Sequence, residues 1–261
     1  VVLRKAQNQY DYNKAFTISN RYNGATMNYI ATFDVGTTAV KGVLVSETGE
    51  VILSQSETIE TIFEGDFIEQ KPEDWFQAFC KIGNYFCQKK SAAEIHAVIM
   101  SGQMQDLILI SEDGSAMMNA ILYSDVRASD QAKRISEKIG EDEIFTSTAN
   151  RFDGSMPFAK LLWVKENLPD IFAKTKKMLI SSKDFILYQL TGEAVSDVVA
   201  SSTAGLMDIR TKQWNTHWLG AFNLPDELLP CLCSPEEKVG TILDSAAAQC
   251  GFVPGTPVYA G

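Results

Sequence analysis

The residues best suited to chemistry lie in one short segment, Asp34 to Lys41, which reads DVGTTAVK. Gly36 allows close backbone approach to a ligand, and the amides and hydroxyls of Thr37 and Thr38 can donate to phosphate oxygens. Asp34 would repel phosphate, so we expect it to hold Mg²⁺ through water, because Mg²⁺ prefers oxygen ligands and keeps part of its hydration shell. Lys41 adds positive charge. The segment predicts a nucleotide-phosphate site; the alternative is an ordinary turn with satisfied polar side chains.

The neighbouring sequence predicts that this segment joins two strands. The expected strands are Tyr29 to Asp34, Lys41 to Ser46 and Val51 to Ser56. The first two are too close in sequence for a crossover helix, so they should be antiparallel. The spacings G-x-x-x-x-G-K-[ST] and G-x-G-x-x-G are absent, which argues against a Walker loop or a dinucleotide fingerprint.

Further elements follow in a mixed order. Pro72 to Lys90 has the apolar spacing of an amphipathic helix, and Ile95 to Met100 reads as a buried strand. Helices are also expected over Pro157 to Glu166 and over Ser182 to Leu190, the latter capped by Ser181 or Ser182 and ended by Gly192. Hairpins followed by alternating strands and helices predict an α/β fold with a mixed sheet flanked by helices, and not a doubly wound parallel sheet.

Composition limits the classes of partner. The chain has 261 residues, 45% of them hydrophobic, and a formal net charge of −10. This charge disfavours nucleic acid and anionic membranes as partners, and no apolar run has the length of a membrane span. The cysteines number five, without a dense framework, which indicates a reducing compartment and a cytoplasmic location. Residues 1–26 are expected to be an N-terminal extension or an added segment, with Met27 as the natural start and one domain over 27–261.

The segment Ser155 to Asn167 reads SMPFAKLLWVKEN. It resembles the first signature of the FGGY carbohydrate kinases, in which a proline, a lysine (here Lys160) and a tryptophan (here Trp163) stand at fixed spacing. A purely structural explanation would be an amphipathic helix with Trp163 buried and Lys160 on the surface. Both explanations can hold, because signature residues can serve as scaffold.

Other segments resemble the same family in the same order. Ser101 to Asp106 is similar to a sugar-binding loop written G-Q-M-H-G in the xylulose kinase branch, and Ile121 to Arg127 to the motif I-L-W-N-D-x-R. Thr191 to Trp214 resembles a further block, so the likeness runs from Met27 to Gly261. One departure is that Gln105 and Asp106 stand where the branch has His and Gly. Because the hydrogen-bonding geometry of Gln differs from that of imidazole, the identity of the sugar is left open.

The resemblance implies a ribonuclease H-like, actin-type ATPase fold, as the first of two such domains around a cleft. It implies ATP and Mg²⁺ as cofactors and a ketose such as D-xylulose as substrate, with gluconate, ribulose and glycerol as alternatives and a homodimer left open. The residues expected at the phosphates and metal are Asp34, Gly36, Thr37, Thr38 and Lys41, and those expected at the sugar are Met104, Gln105, Asp125 and Arg127. For the last two, an alternative is that they only pair with each other.

The resemblance also implies which parts are not in this sequence. Pro257 to Gly261 matches the strand that enters the glycine-rich turn carrying the family's catalytic Asp, so we expect that base just past Gly261 and the adenine pocket in a second domain. We therefore expect residues 1–261 alone to lack kinase activity. The rival classes are an actin- or chaperone-like ATPase and a non-catalytic sugar-binding module.

Overall fold

In the computed structural model of the protein, residues 28–261 are described, so the extension predicted over residues 1–26 lies outside them. The strands are β1 (Tyr29–Val35), β2 (Ala39–Ser46), β3 (Val51–Thr58), β4 (Ile62–Glu64), β5 (Phe67–Gln70), β6 (Ile95–Gly102), β7 (Ile108–Ile110), β8 (Ala120–Ile121), β9 (Lys177–Leu179), β10 (Val195–Asp197), β11 (Met207–Asp208), β12 (Gln213–Trp214), β13 (Cys231–Cys233), β14 (Lys238–Thr241) and β15 (Pro257–Tyr259). The helices are α1 (Pro72–Lys89), α2 (Ser129–Ile139), α3 (Glu141–Thr148), α4 (Pro157–Asn167), α5 (Pro169–Lys174), α6 (Ser182–Thr191), α7 (Val198–Ser201), α8 (Thr216–Ala221) and α9 (Asp244–Cys250).

A central six-stranded sheet has the order β14-β15-β6-β1-β2-β3. β2 runs antiparallel to both of its neighbours, β1 and β3, whereas β6 is parallel to β1 and β15 is parallel to β6. The predicted antiparallel hairpins and the predicted mixed sheet are therefore confirmed. Because β1, β6 and β15 run in the same direction, their carboxyl ends meet at one edge of the sheet.

Helix α1 packs on one face of this sheet through the predicted apolar stripe. Trp75, Phe79, Ile82 and Phe86 are all fully buried, and each such side chain contributes roughly 1.5–3 kcal/mol of burial free energy. They share one core with the alternate residues of β1 and β2 that point toward the helix and with α6 and α9. The helix predicted from the sequence is confirmed, with its last residue at Lys89.

Helix α6 begins and ends as the sequence predicts. Ser181 caps it in a capping box with Asp184, and Gly192 ends it in the left-handed conformation with φ 78°. A second core lies beside the sheet, where α2, α4, α8 and β9 pack together. Among residues 28–261, no helix combines the length and the apolar character that crossing a membrane requires.

Candidate functional site

The carboxyl edge of the parallel strands gathers three parts of the chain: the Asp34 loop (residues 34–41), the Gln103 loop (residues 102–106) and the start of α6. The Gln103 amide donates to the Val35 carbonyl at 3.0 Å, and Ser182 Oγ donates to the same carbonyl at 2.8 Å. Gly102 allows this approach, since a Cβ there would lie 2.7 Å from Ser182 Oγ. The sheet therefore brings the two predicted loops together.

Asp34 and Lys41 are opposite each other on β1 and β2. Both are exposed, and directly opposed residues of an antiparallel pair lie on the same face, with Cβ atoms about 5 Å apart. Within residues 28–261, neither side chain makes a hydrogen bond or an ion pair. The site thus has one free carboxylate and one free ammonium group side by side.

Only some of the predicted phosphate donors of the Asp34 loop are available. The Gly36 amide donates to the Ala39 carbonyl at 3.1 Å, and Thr37 Oγ1 donates to Gln103 Oε1 at 2.9 Å. The amides of Thr37 and Thr38 and the hydroxyl of Thr38 donate to no other described residue. The Gly36 amide and the Thr37 hydroxyl therefore stabilise the turn, and the contact of either group with phosphate stays a prediction.

A network of two glutamines joins the Asp34 loop to the Gln103 loop. Gln103 Nε2 donates to Gln70 Oε1 at 2.8 Å, and Gln70 Nε2 donates to the Thr37 carbonyl at 2.6 Å. Trp75 Nε1 also donates to Gln70 Oε1, at 2.9 Å, and Gln70 is fully buried. Sequence reasoning missed Gln70, because its partners lie on distant segments and no local pattern marks it.

Gln105 is held at both its backbone and its side chain. Its φ is 69°, a left-handed conformation unusual for a residue other than glycine, and its carbonyl accepts from Lys160 Nζ at 3.0 Å. Gln105 Nε2 donates to Ser155 Oγ at 2.6 Å. Its neighbour Met104 is 37% exposed, so Met104 and Gln105 both lie at the open edge next to the Asp34 loop.

Lys160 is fully buried, and Trp163 is only half-buried. The structural alternative of a surface Lys160 with a buried Trp163 is therefore wrong. Lys160 Nζ donates to the carbonyls of Gln105 and Leu122, at 3.0 and 2.7 Å. Lys160, the lysine of the signature, therefore holds the Gln103 loop from below through its hydrogen bond to the Gln105 carbonyl.

A second buried charge, Asp106, lies near this lysine. Asp106 Oδ1 accepts from the Tyr123 amide at 3.1 Å, while Oδ2 has no hydrogen-bond partner among the described residues. Burial raises the pKa of Asp106 to about 8, and burial lowers the pKa of Lys160 to about 8. Each group nevertheless favours the charged form of the other, so the pair forms one electrostatic unit beneath Gln105.

Asp125 and Arg127 form an ion pair in which both oxygens of the Asp125 carboxylate accept hydrogen bonds. Asp125 Oδ2 accepts from Arg127 Nη2 at 2.7 Å and from the Ile68 amide at 2.7 Å. Burial opposes the charge of Asp125, but the hydrogen bonds from Arg127 and Ile68 outweigh it and hold its pKa below the usual value. The Arg127 guanidinium lies 3.8 Å from the Phe67 ring centroid and 5.1 Å from that of Trp163.

The mutual pairing of Asp125 and Arg127 considered as an alternative is therefore present. Arg127 Nη2 also lies 2.8 Å from Glu69 Oε1, and the side chains of Asp125 and Arg127 are at most 2% exposed. Contact of either residue with a sugar stays a prediction. Their observed partners fix the segment after β8 against β5 and α4.

A further buried cluster lies where α6 meets the end of β15. Lys183 Nζ is 2.7 Å from Asp197 Oδ2 and 3.6 Å from Asp184 Oδ1, and it donates to the Ala260 carbonyl at 2.8 Å. Burial opposes the charge of Lys183, but the two carboxylates outweigh it and hold its pKa above the usual value. Sequence reasoning noted only the helix cap here, because the charge pairing depends on residues far apart in sequence.

The site has the donor set expected for a hydrated Mg²⁺ ion and not that of a closed metal cage. Among residues 28–261, no three His, Cys, Asp or Glu side chains form a group that could hold a metal ion. The free Asp34 carboxylate suits Mg²⁺, which is commonly bound by one or two carboxylates, substrate phosphates and water.

The antiparallel hairpins β1–β2–β3, continued by parallel β6 and β15 with the Asp34 loop at their carboxyl edge, define a domain of the ribonuclease H-like, actin-type ATPase class. A sequence model of the N-terminal domain of the FGGY family of carbohydrate kinases matches residues 29–261. The chain belongs to this family, and the resemblance predicted from its motifs is confirmed.

Individual relatives agree with this assignment. The chain is 33% identical over 240 residues to a xylulose kinase of Bacillus subtilis, covering 90% of this chain and 47% of that protein. It superposes on a gluconate kinase of Lactobacillus acidophilus with TM-score 0.83 and on a ligand-bound xylulose kinase of the same species with TM-score 0.82. Each of the two structures is 27% identical in sequence to the chain. Each match covers 90% of this chain and 48% of the other protein's chain. The chain spans about half the length of the curated relatives it matches.

Proposed function

We propose that the natural protein carrying this chain is an ATP-dependent carbohydrate kinase whose acceptor is a ketose such as D-xylulose. The observation that carries the proposal is the placement of the free Asp34 and Lys41 side chains at the same edge of the sheet as the loop that carries Gln105, to which the Thr37–Gln103 hydrogen bond joins them. One loop offers groups for phosphate and metal, and the other offers polar groups for a polyol. The similarity to the xylulose kinase of Bacillus subtilis favours the ketose.

On the phosphate side, we assign Asp34 to hold Mg²⁺ through water. Thr37 and Thr38 donate their free amides to phosphate oxygens, and Lys41 supplies positive charge. Gly36 shapes the turn, since a Cβ at this position would lie 3.3 Å from the Ala39 carbonyl oxygen. Bound Mg²⁺ would neutralise charge on the transferring phosphoryl group, which is the main requirement of phosphoryl transfer.

On the sugar side, Met104 and Gln105 present the contact surface, and Asp125 and Arg127 hold it from behind. The Arg127 guanidinium packs against the rings of Phe67 and Trp163, which supports this wall. Because little covalent chemistry is required of the protein, correct placement of the attacking hydroxyl accounts for much of the rate.

The proposal is tested by coupled ADP release from the natural protein with D-xylulose, D-ribulose, D-gluconate and glycerol. We expect turnover that depends on D-xylulose and Mg²⁺. Asp34→Ala should lower kcat at least about a hundredfold, since metal charge stabilisation is worth several kcal/mol. Its stability should change by less than about 0.5 kcal/mol, because the carboxylate makes no contact within the described chain.

The matched control is Asp170→Ala, at an exposed position on α5, which should leave kcat unchanged. Absence of turnover with every sugar would refute the kinase proposal. Phosphorylation of gluconate without xylulose would refute the ketose and favour the second candidate, gluconate. That candidate is supported by Gln105 standing where the branch has His and by the similar gluconate kinase of Lactobacillus acidophilus.

A further inference from the structure

Asp153 and Ser155, just before α4, act on Gln105 through a directed chain of hydrogen bonds. Ser155 Oγ donates to Asp153 Oδ1 at 2.5 Å, and Gln105 Nε2 donates to Ser155 Oγ at 2.6 Å. Asp153 is exposed and Ser155 is buried. An ionised carboxylate can only accept hydrogen bonds, so the Ser155 hydroxyl must give its proton to Asp153. Ser155 Oγ is then an acceptor toward Gln105.

This direction fixes the orientation of the Gln105 amide. Its NH₂ group meets the acceptor Ser155 Oγ, and it also approaches Met156 Sδ at 3.9 Å, which is a weak acceptor. A flipped amide would place Oε1 against two acceptors, with no hydrogen between them. The stable orientation therefore leaves Oε1, which accepts nothing from another described residue and is not a buried atom, as the free polar atom of the side chain.

The backbone around this amide is held just as firmly. The fully buried Lys160 Nζ donates to the Gln105 carbonyl at 3.0 Å, and this contact supports the left-handed φ of 69°. Gly154 is buried, and a Cβ there would lie 2.6 Å from the Ser129 amide. The turn that carries Asp153 and Ser155 is thereby packed against the segment following Arg127.

We propose that Asp153 and Ser155 are positioning residues that make Gln105 a specificity determinant, presenting a hydrogen-bond acceptor to one hydroxyl of the substrate. The inference rests on the proposed kinase function. The site then selects a polyol whose hydroxyl at that position donates a hydrogen bond. An analogue carrying fluorine there, which cannot donate, is rejected.

The experiment compares the best sugar of the natural protein with its set of monodeoxyfluoro analogues, measured as kcat/KM. For the wild type, we expect one position at which fluorine lowers kcat/KM about fivefold to tenfold, the size expected for one neutral hydrogen bond. In Ser155→Ala, the Gln105 amide is free to turn and to offer its NH₂ group to fluorine. The discrimination at that position should fall below about twofold.

Three further variants complete the test. Ser155→Thr keeps the hydroxyl and should keep the discrimination, while Asp153→Ala, at an exposed position, should lose it even if Ser155→Ala fails to fold. Ser115→Ala is the matched control, because Ser115 makes the same contacts with Asp113, through its amide at 3.1 Å and its hydroxyl at 2.7 Å, in a distant turn. It should behave as the wild type.

The outcomes separate the two proposals. If the wild type phosphorylates a sugar but no fluorine position is penalised, or if Ser155→Ala and Asp153→Ala keep the penalty, the positioning inference is overturned while the kinase function stands. If the wild type phosphorylates none of the sugars, the kinase proposal fails and the inference fails with it.

Discussion

Asp106 shows how a single buried residue can contribute to the pH dependence of the chain's stability. Burial raises its native pKa to about 8 from an ordinary value of 3.8. Between these values the native state holds a proton that the unfolded state has released, so the contribution of Asp106 to stability is greatest at low pH and falls as pH rises toward 8. Burial lowers the pKa of Lys160 to about 8 from 10.5. Titration of Lys160 therefore changes stability only above about pH 8, where its contribution makes stability rise with pH.

We therefore expect Asp106→Asn to flatten the fall in the free energy of unfolding between pH 5 and pH 7.5. The difference in slope should approach 1.4 kcal/mol per pH unit at most, that is about one proton. Urea denaturation at several pH values measures it. Asp113→Asn is the control, because hydrogen bonds from Ser111 and Ser115 lower the pKa of Asp113 to about 2, below this range. Equal slopes for wild type and Asp106→Asn would contradict the assignment.

At the scale of elements, the contact between α6 and β15 depends on one buried lysine. Lys183 on α6 neutralises Asp184 and Asp197 and binds the Ala260 carbonyl just after β15. Lys183→Met should lower the free energy of unfolding by about 3–5 kcal/mol, because it leaves buried carboxylates without a counter-charge. Chemical denaturation measures the loss.

Lys81→Met is the matched control for this variant. Lys81 is exposed on α1 and lies 3.8 Å from Glu57, and such surface pairs contribute less than about 1 kcal/mol. A similar, small loss for both variants would show that the buried cluster does not hold α6 to β15.

The elements that could be predicted from sequence are those governed by local rules. The apolar stripe of α1 and the cap of α6 at Ser181 depend on residues a few positions apart, so periodicity and capping preferences were sufficient. The burial of Lys160 could not be predicted, because its partners are carbonyls of Gln105 and Leu122, which lie far from it in sequence. The same holds for Gln70: its role appears only when the fold brings Thr37 and Gln103 beside it.

The sequence predicted which segments form the site better than it predicted the role of each residue in it. Asp34 and Lys41 are exposed and free, as a phosphate and metal site requires, and their roles stay a prediction. The Gly36 amide and the Thr37 hydroxyl were expected at phosphate; in the structure they donate to the Ala39 carbonyl and to Gln103, and their contact with phosphate also stays a prediction. A motif identifies which residues matter, whereas only the three-dimensional contacts show whether a donor is already used.

At the scale of the whole molecule, the described residues of the proposed site offer no well-placed carboxylate to accept the sugar proton. Near the carboxyl edge the described carboxyl groups of Asp106, Asp125, Asp184 and Asp197 are all buried, and each of the four interacts with a lysine or an arginine. Asp34 is exposed, but we assign it to Mg²⁺ and the phosphates, and the exposed Asp153 already accepts hydrogen bonds from the amide and the hydroxyl of Ser155. A general base must reach the proton it removes, so none of these residues suits that role.

We therefore expect the isolated chain of 261 residues to fold and to bind a sugar weakly without phosphorylating it. Its two apolar cores are built from residues of the described chain itself, which supports folding without a partner. Coupled ADP release should not exceed the buffer rate, while the natural protein turns over the same sugar. Calorimetric titration with D-xylulose, compared between the chain and its Gln105→Leu variant, tests the sugar site apart from catalysis. Turnover by the isolated chain would show that a base is present within it and would overturn the assignment of this edge as one half of a two-domain site.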